Sequence, residues 1–143
     1  GDDLHRYQPR PENYKNLWRQ GLMGVWAKTL TREGIWEALW NRRVYATTNV
    51  RVILRFEVCG KPMGMTVAAG PRRPIRVHAL SEEPIARVDI VRNGRDAHVL
   101  YPDEHEVDWA VQDTSSEPAY YYARLTRADG EMAWSSPIWV TTP

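Results

Sequence analysis

The stretch LTREGIWEALWNRRVYATT (residues 30–48) decides the fold, because it contains the beginning of a helix, its end and the start of a strand. Its apolar residues recur at the spacing of one helical face: Ile35, Trp36, Leu39 and Trp40. Thr31 is a residue type that caps helix N-termini, and the β-branched run from Val44 ends the helix. The sequence therefore predicts a helix within residues 30–43 that leads into a strand.

Two tryptophans on one short helix predict burial of its apolar face. One interpretation is that Trp36 and Trp40 close the open end of a β-sandwich formed by the rest of the chain. The alternative is that they face a second domain outside this chain.

After residue 48 the pattern changes to the two-residue period of strands. Val52, Leu54, Phe56 and Val58 alternate with polar or charged neighbours, which indicates a half-buried strand. A later strand, which begins near residue 75, is predicted to end at Pro84. Residues 85–92 and 95–100 flank Asn93-Gly94, the pair that favours a type I′ hairpin turn.

Seven or eight such strands, with no helical pattern after residue 43, predict a mainly β fold. We expect an antiparallel β-sandwich of the immunoglobulin or fibronectin type III kind. Residues 1–29 are interpreted as an extended arm with one short strand from Leu22, residues 30–48 as a helix and strand junction, and residues 49–143 as the sandwich. Trp109 and the tyrosines at 120–122 are expected in the core, with a sugar-binding aromatic face as the alternative.

The composition excludes several classes of protein. The chain has 143 residues and a net charge of +1, with its basic and acidic residues interleaved, so we expect no nucleic-acid partner. Cys59 is the single cysteine, which excludes an intrachain disulfide and suits a reducing compartment such as the cytoplasm. Neither a transmembrane run nor a signal peptide is visible, so no membrane association is expected.

The residues that might carry chemistry are scattered. His5, His78, His98 and His105 are far apart in sequence, and a structural role is expected for His78 and His98 within strands. The acidic stretch at 103–108 is interpreted as a solvated loop, with a hard-cation site as the alternative. Asp3 and His5, two residues apart on an extended segment, point to the same side and are candidate metal ligands, but a catalytic zinc takes three protein ligands.

Two segments resemble a known family: GLMGVWAKTLTREGIWEALWNRRVYATTNVRVILRFEVCGKPMG (residues 21–64) and YYYARLTRADGEMAWSSPIWV (residues 120–140). They are similar to the C-terminal part of large uncharacterised proteins related to the PHP (polymerase and histidinol phosphatase) metal-dependent phosphoesterases. The resemblance implies a preceding barrel that binds divalent metals, whose last motif is an Asp-x-His pair. Asp3 and His5 match that pair in type, spacing and position.

The sequence therefore predicts a non-catalytic C-terminal β-sandwich domain of a PHP-like protein, which buttresses the barrel or shapes access to it. The fragment itself is expected to be no enzyme and to hold no cofactor. The alternative is a fibronectin-like module that binds a carbohydrate or a protein partner. Without its barrel, the fragment is expected to form a symmetric homodimer through residues 7–40.

Overall fold

The computed structural model describes residues 21–143. Asp3, His5 and the first part of the predicted arm lie outside these residues. The described part contains one helix and eleven strands: β1 Leu22–Val25, α1 Arg32–Trp40, β2 Val44–Thr47, β3 Val52–Val58, β4 Lys61–Pro62, β5 Thr66–Ala68, β6 Arg72–Arg92, β7 Arg95–Leu100, β8 Glu104–Thr114, β9 Ala119–Arg127, β10 Met132–Ser135 and β11 Ile138–Thr141.

All the strands belong to one connected, curled sheet in the order β1-β2-β10-β9-β6-β3-β4, with β7 and β8 also paired to β6 and with β11 joining β9 to β5. The pairings are antiparallel except that of β5 with β11. The predicted mainly β class with one short helix is therefore confirmed. Over residues 21–143, no helix is long and apolar enough to cross a membrane.

The 21-residue strand β6 organises the sheet. Its first half pairs with β3 and β8, and its second half pairs with β7 and β9. The prediction that Pro84 ends this strand is wrong. Pro84 lies where the pairing register shifts, between Leu80 and Ile85, so its missing N–H removes no ladder hydrogen bond and the strand continues past it.

The core is one cluster of buried side chains from these strands. Every second residue of β3 is buried, as predicted: Val52, Leu54, Phe56 and Val58. They pack with buried side chains of β6, β8, β9 and β11, among them Ile75, Val77, Ile90, Leu125 and Ile138. Burial of each such side chain contributes about 1.5–3 kcal/mol, so the core is the main favourable contribution that opposes the entropy cost of ordering the strands around β6.

The predicted hairpin between β6 and β7 is confirmed. Asn93 and Gly94 have φ angles of 49° and 79°, as a type I′ turn requires. The Asn93 side chain also accepts a hydrogen bond from the backbone N–H of Tyr120 at 2.9 Å, which ties the turn to β9.

The helix α1 begins and ends with defined caps. The hydroxyl of Thr31 accepts a hydrogen bond from the Gly34 N–H at 3.1 Å, which confirms the predicted N-cap. At the other end Arg42 has a φ of 56°; its N–H donates to Leu39 O, and the Arg43 N–H donates to Ala38 O, both at 2.9 Å. These two bonds form a Schellman motif, with Arg42 where glycine is common.

Candidate functional site

Trp36 and Trp40 of α1 are exposed, so the interpretation that they close the open end of a sandwich is wrong for residues 21–143. The exposed fractions of Leu30, Trp36 and Trp40 are 94%, 64% and 76%, and Ala38 is the buried residue of the helix. The rings of Trp36 and Trp40 stack on each other, with centroids 6.3 Å apart and planes 25° apart. We call Ile35, Trp36, Leu39 and Trp40 the tryptophan face.

The reason for this exposure is the position of the helix. It contacts the sheet at β1, and within residues 21–143 no other element covers the two indoles. An open depression of about 690 Å³ lies on the face, lined by Arg32, Glu33 and three of its apolar side chains.

Although it is exposed, the helix is held firmly at its C-terminal end. The Arg42 guanidinium donates from Nε to Gly64 O at 3.0 Å and lies 5.3 Å from the centre of the Trp139 ring. Gly64 has a φ of 91°, and a Cβ built on it would lie 2.4 Å from Asn41 O. Glycine is therefore required where this loop meets the helix end.

A second anchor runs through Arg43 and Trp26. Arg43 pairs with Glu37 of the helix and donates from Nε to Trp26 O at 3.3 Å. The indole N–H of Trp26 donates to Leu54 O at 2.8 Å, and the Arg55 guanidinium lies 4.3 Å from the centre of its ring. The helix is thus connected to β3 in the core, and the tryptophan face has a fixed orientation.

A polar cluster around Asp113 lies elsewhere, where β6, β7, β8 and β9 meet. The buried Asp113 carboxylate accepts hydrogen bonds from Tyr121 Oη at 2.6 Å and from Arg92 at 2.9 Å, and it lies 3.0 Å from His98 Nε2. The fully buried Arg73 donates to Tyr121 Oη at 3.0 Å and to Glu117 O at 2.6 Å.

The charges in this cluster compensate one another. Burial alone raises the pKa of Asp113, but hydrogen bonds from Tyr121, His98 and Arg92, together with the Arg92 charge, outweigh it and lower the pKa. The pKa of Tyr121 is raised, first by burial and then by its bond to the carboxylate. Because each polar group has a partner and the centre is buried, we interpret the cluster as a structural tie between four strands.

The histidines within the described residues occupy separate positions. His78 lies 3.2 Å from a Glu106 oxygen, His98 contacts Asp113, and His105 lies 3.3 Å from Ser81 O. Between Gly21 and Pro143, no group of three or more His, Cys, Asp or Glu side chains is arranged to hold a metal ion. The three described histidines thus have different partners and do not converge on one site.

The predicted aromatic cluster divides between core and surface. Tyr121 is fully buried, which confirms the core interpretation for that residue, and Trp109 is partly buried against the core. Tyr120 is exposed. No sequence pattern indicated that the buried Tyr121 would contact an aspartate and an arginine, because Arg73 is 48 residues away along the chain.

Comparisons with known proteins agree with the predicted similarity to long uncharacterised proteins. Residues 5–64 match the model of a family described as a protein of unknown function, DUF3604. An uncharacterized protein of Chlamydia pneumoniae is 34% identical over 158 aligned positions, covering 97% of this chain and 26% of the relative. A second, from Chlamydia muridarum, is 32% identical, with 97% and 25% covered.

The chain spans about a quarter of the length of these curated relatives. Among solved structures, an engineered protein is similar over 64% of this chain and 20% of its own, with 16% identity and a TM-score of 0.39. Similarity to uncharacterised proteins much longer than this chain is thus confirmed, whereas the relation to PHP phosphoesterases stays a prediction.

Proposed function

We propose that this chain is a non-catalytic domain of a longer protein, and that its tryptophan face packs against the preceding part of that protein. In keeping with the resemblance, we propose that the preceding part is a PHP-like barrel and that the curled sheet is an immunoglobulin-like or fibronectin-like sandwich. Divalent metals belong to the barrel in this proposal, and Asp3 and His5 are the ligands that this chain contributes. The role of the domain is to buttress the barrel or to shape access to it.

The exposed tryptophan face is the observation that carries the proposal. A large aromatic side chain contributes most to stability when it is buried, and contiguous exposed apolar surface marks a contact site. Trp36 and Trp40 lie side by side, and the half-buried Ile35 and Leu39 belong to the same helix. Burial of both indoles against a partner contributes about 3–6 kcal/mol on the usual scale for large apolar side chains.

The rigidity of the helix supports the same proposal. Arg42, Arg43 and Gly64 fix the end of α1 on the sheet, so little conformational freedom is lost when the face is covered. A contact site that is already ordered suits a permanent contact between domains. The lengths of the relatives agree with this, since about three quarters of each lies outside the matched region.

The test compares the longer natural protein with the present chain. We expect Trp36→Ala with Trp40→Ala to lower the melting temperature of the longer protein by several degrees, because a domain contact is lost. The same double variant is expected to leave the melting temperature of the isolated chain nearly unchanged. Tyr101→Ala is the matched control, since Tyr101 is an exposed aromatic residue outside the tryptophan face.

An unchanged melting temperature in the longer protein would contradict the proposal. The competing function is a module that holds a carbohydrate on the stacked indoles, and it predicts a different result. Titration of the isolated chain with oligosaccharides would then quench or shift the tryptophan fluorescence, and the double variant would lose that response.

The proposal also assigns no catalysis to the fragment. We expect no hydrolysis of a generic phosphomonoester or phosphodiester by the isolated chain with Mn²⁺ or Zn²⁺ added. Metal-dependent turnover that disappears in the Asp3→Ala, His5→Ala double variant would overturn this expectation.

A further inference from the structure

The outer edge of β8 is open. This strand has 11 residues, and in residues 21–143 it pairs with β6 alone. The Ser115 N–H donates to Pro71 O at 2.9 Å, which continues the β6–β8 ladder by one pair. Because the bonds of an antiparallel ladder alternate, the odd-numbered residues of β8 bond to β6. The backbone N–H and C=O groups that point outward are those of Glu106, Asp108, Ala110 and Gln112.

The outer face of β8 has an acidic first half and an uncharged second half. In order along the strand, its exposed side chains are Glu104, Glu106, Asp108, Ala110, Gln112 and Thr114. When two copies of such a strand run in opposite directions, the acidic half of each meets the uncharged half of the other. The edge is therefore complementary to its own copy.

Basic side chains of β6 lie behind the uncharged half. Arg76 is the cross-strand partner of Ala110, and Arg72 is the cross-strand partner of Thr114. The Arg76 guanidinium donates to both oxygens of Asp108 on its own β8, at 2.7 and 2.5 Å. Arg72 is exposed and forms no ion pair within residues 21–143. A carboxylate placed against the small side chain of either partner would lie close to an arginine.

We propose that β8 pairs in antiparallel direction with β8 of a second copy of this chain, with the two-fold axis at Trp109. The outward-pointing residues of the two strands then face each other: Ala110 opposes the partner's Asp108, Gln112 opposes the partner's Glu106, and Thr114 opposes the partner's Glu104. Each carboxylate meets an uncharged side chain, with a basic residue one strand behind the first and the third. A two-fold interface requires this kind of self-complementarity.

Charge selects this register among its neighbours. A pairing centred on residue 108 sets Asp108 against its own copy, and one centred on residue 107 sets it against Glu106; like charges directly opposite are unfavourable. A pairing centred on residue 110 sets Ala110 against its own copy, so the partner's Asp108 loses its place opposite Ala110 and in front of Arg76. The centre at Trp109 also makes the two indoles neighbours on the core side, and such aromatic pairs are favourable.

This contact is separate from the tryptophan face, so the proposal does not rest on the proposed function. One pair of strands with exposed charges forms a small interface, and we expect a dissociation constant on the order of 10–100 µM. The chain is then monomeric at about 1 µM and dimeric at about 1 mM.

The first test is sedimentation equilibrium of the full 143-residue chain and of two variants at one position. Ala110→Asp sets carboxylates opposite each other at both symmetric positions, and should raise the dissociation constant at least about tenfold. Within its own chain the new carboxylate lies beside Arg76, so the fold is not weakened. Ala110→Lys is the matched variant: it sets an ammonium group opposite the partner's Asp108 and should dimerise at least as well as the natural chain.

The second test is amide hydrogen exchange of the same chain at low and high concentration. The Asp108 and Gln112 amides, which point outward, should exchange at least about tenfold more slowly at about 1 mM than at about 1 µM, because the dimer gives them acceptors. The Trp109 and Val111 amides bond to β6 in both states and should change less.

A monomeric mass at about 1 mM would overturn the proposal. Equal weakening by Ala110→Asp and Ala110→Lys would also overturn it, because the arrangement of charges would then not hold the two copies together. A dimer that persists in Ala110→Asp but is lost in the Trp36→Ala, Trp40→Ala double variant would move the contact to the tryptophan face. Equal exchange of the Asp108 amide at both concentrations would show that a second β8 does not cover this edge.

Discussion

The middle of the sheet and the end that carries α1 and β1 use similar residues in opposite ways. Around β6, apolar side chains such as Ile75 and Leu125 are fully buried, and even the charged Asp113 and Arg73 have partners. At the other end, two tryptophans and the edge of β1 are exposed. The first region has its partners within residues 21–143, whereas in the second those residues leave apolar side chains and a strand edge uncovered.

This difference indicates which part of the molecule is stable alone. Substitutions around β6 should change the stability of the isolated chain, since every contact there is already formed. Substitutions on the tryptophan face should change it little, because Trp36 and Trp40 are largely exposed in residues 21–143. The predictions below compare matched residues from the two regions.

The largest effect is expected at Asp113. Asp113→Ala leaves Tyr121, Arg92 and His98 without their shared acceptor, and should lower the free energy of unfolding by about 3 kcal/mol. Asp108→Ala is the control on the same strand, because Asp108 pairs with Arg76 in solvent and its loss should hardly move the midpoint of urea denaturation. Equal losses in the two variants would contradict the structural role of the buried cluster.

A somewhat smaller loss is expected at the joint between helix and sheet. Gly64→Ala places a Cβ against Asn41 O at a positive φ, and should lower the free energy of unfolding by about 2 kcal/mol. Gly60→Ala is the control, because Gly60 also has a positive φ, of 70°, but a Cβ there meets open space. Circular dichroism melts of both variants give the comparison, and a loss at Gly60 equal to that at Gly64 would mean that the helix joint is not tight.

The β6–β7 hairpin should be sensitive to its turn residues. Replacement of Asn93-Gly94 by Val-Val forces two β-branched residues to positive φ and removes the bond to Tyr120, which should destabilise the fold by about 1 to 3 kcal/mol. Thermal melting measures this change. An unchanged midpoint would show that the strands are connected in another way.

The smallest effect on the isolated chain is expected from the tryptophan face. Trp36→Ala with Trp40→Ala should change the free energy of unfolding by no more than about 0.5 kcal/mol, because neither indole is buried. Trp26→Ala should cost about 2 kcal/mol, since it removes a half-buried ring and the bond to Leu54 O. A large loss in the double variant would show that this face is covered within the chain itself.

Local signals in the sequence predicted the strands and turns well. The alternation in β3, the Asn93-Gly94 turn and the Thr31 cap each depend on residues within a few positions of one another. Their geometry is therefore encoded locally, and the structure agrees with each prediction.

Features that depend on distant partners were missed. The sequence predicted that the strand ends at Pro84, whereas β6 continues past it. The bulge that accommodates Pro84 is a property of the pairing with β8, so the local residues do not reveal it. Arg73 and Tyr121 are 48 residues apart, and no spacing rule connects them to Asp113. The spacing on α1 identified an apolar face correctly, but whether that face is buried or exposed depends on tertiary structure and not on helical periodicity.

Oxidative footprinting of Trp36 and Trp40 tests the central claim most directly. Both indoles should react rapidly with hydroxyl radicals in the isolated chain and at least about tenfold more slowly in the longer natural protein, where the proposed barrel covers them. Tyr101, exposed and outside the tryptophan face, should react equally in both and serves as the reference. Equal oxidation of Trp36 and Trp40 in the two proteins would contradict the account.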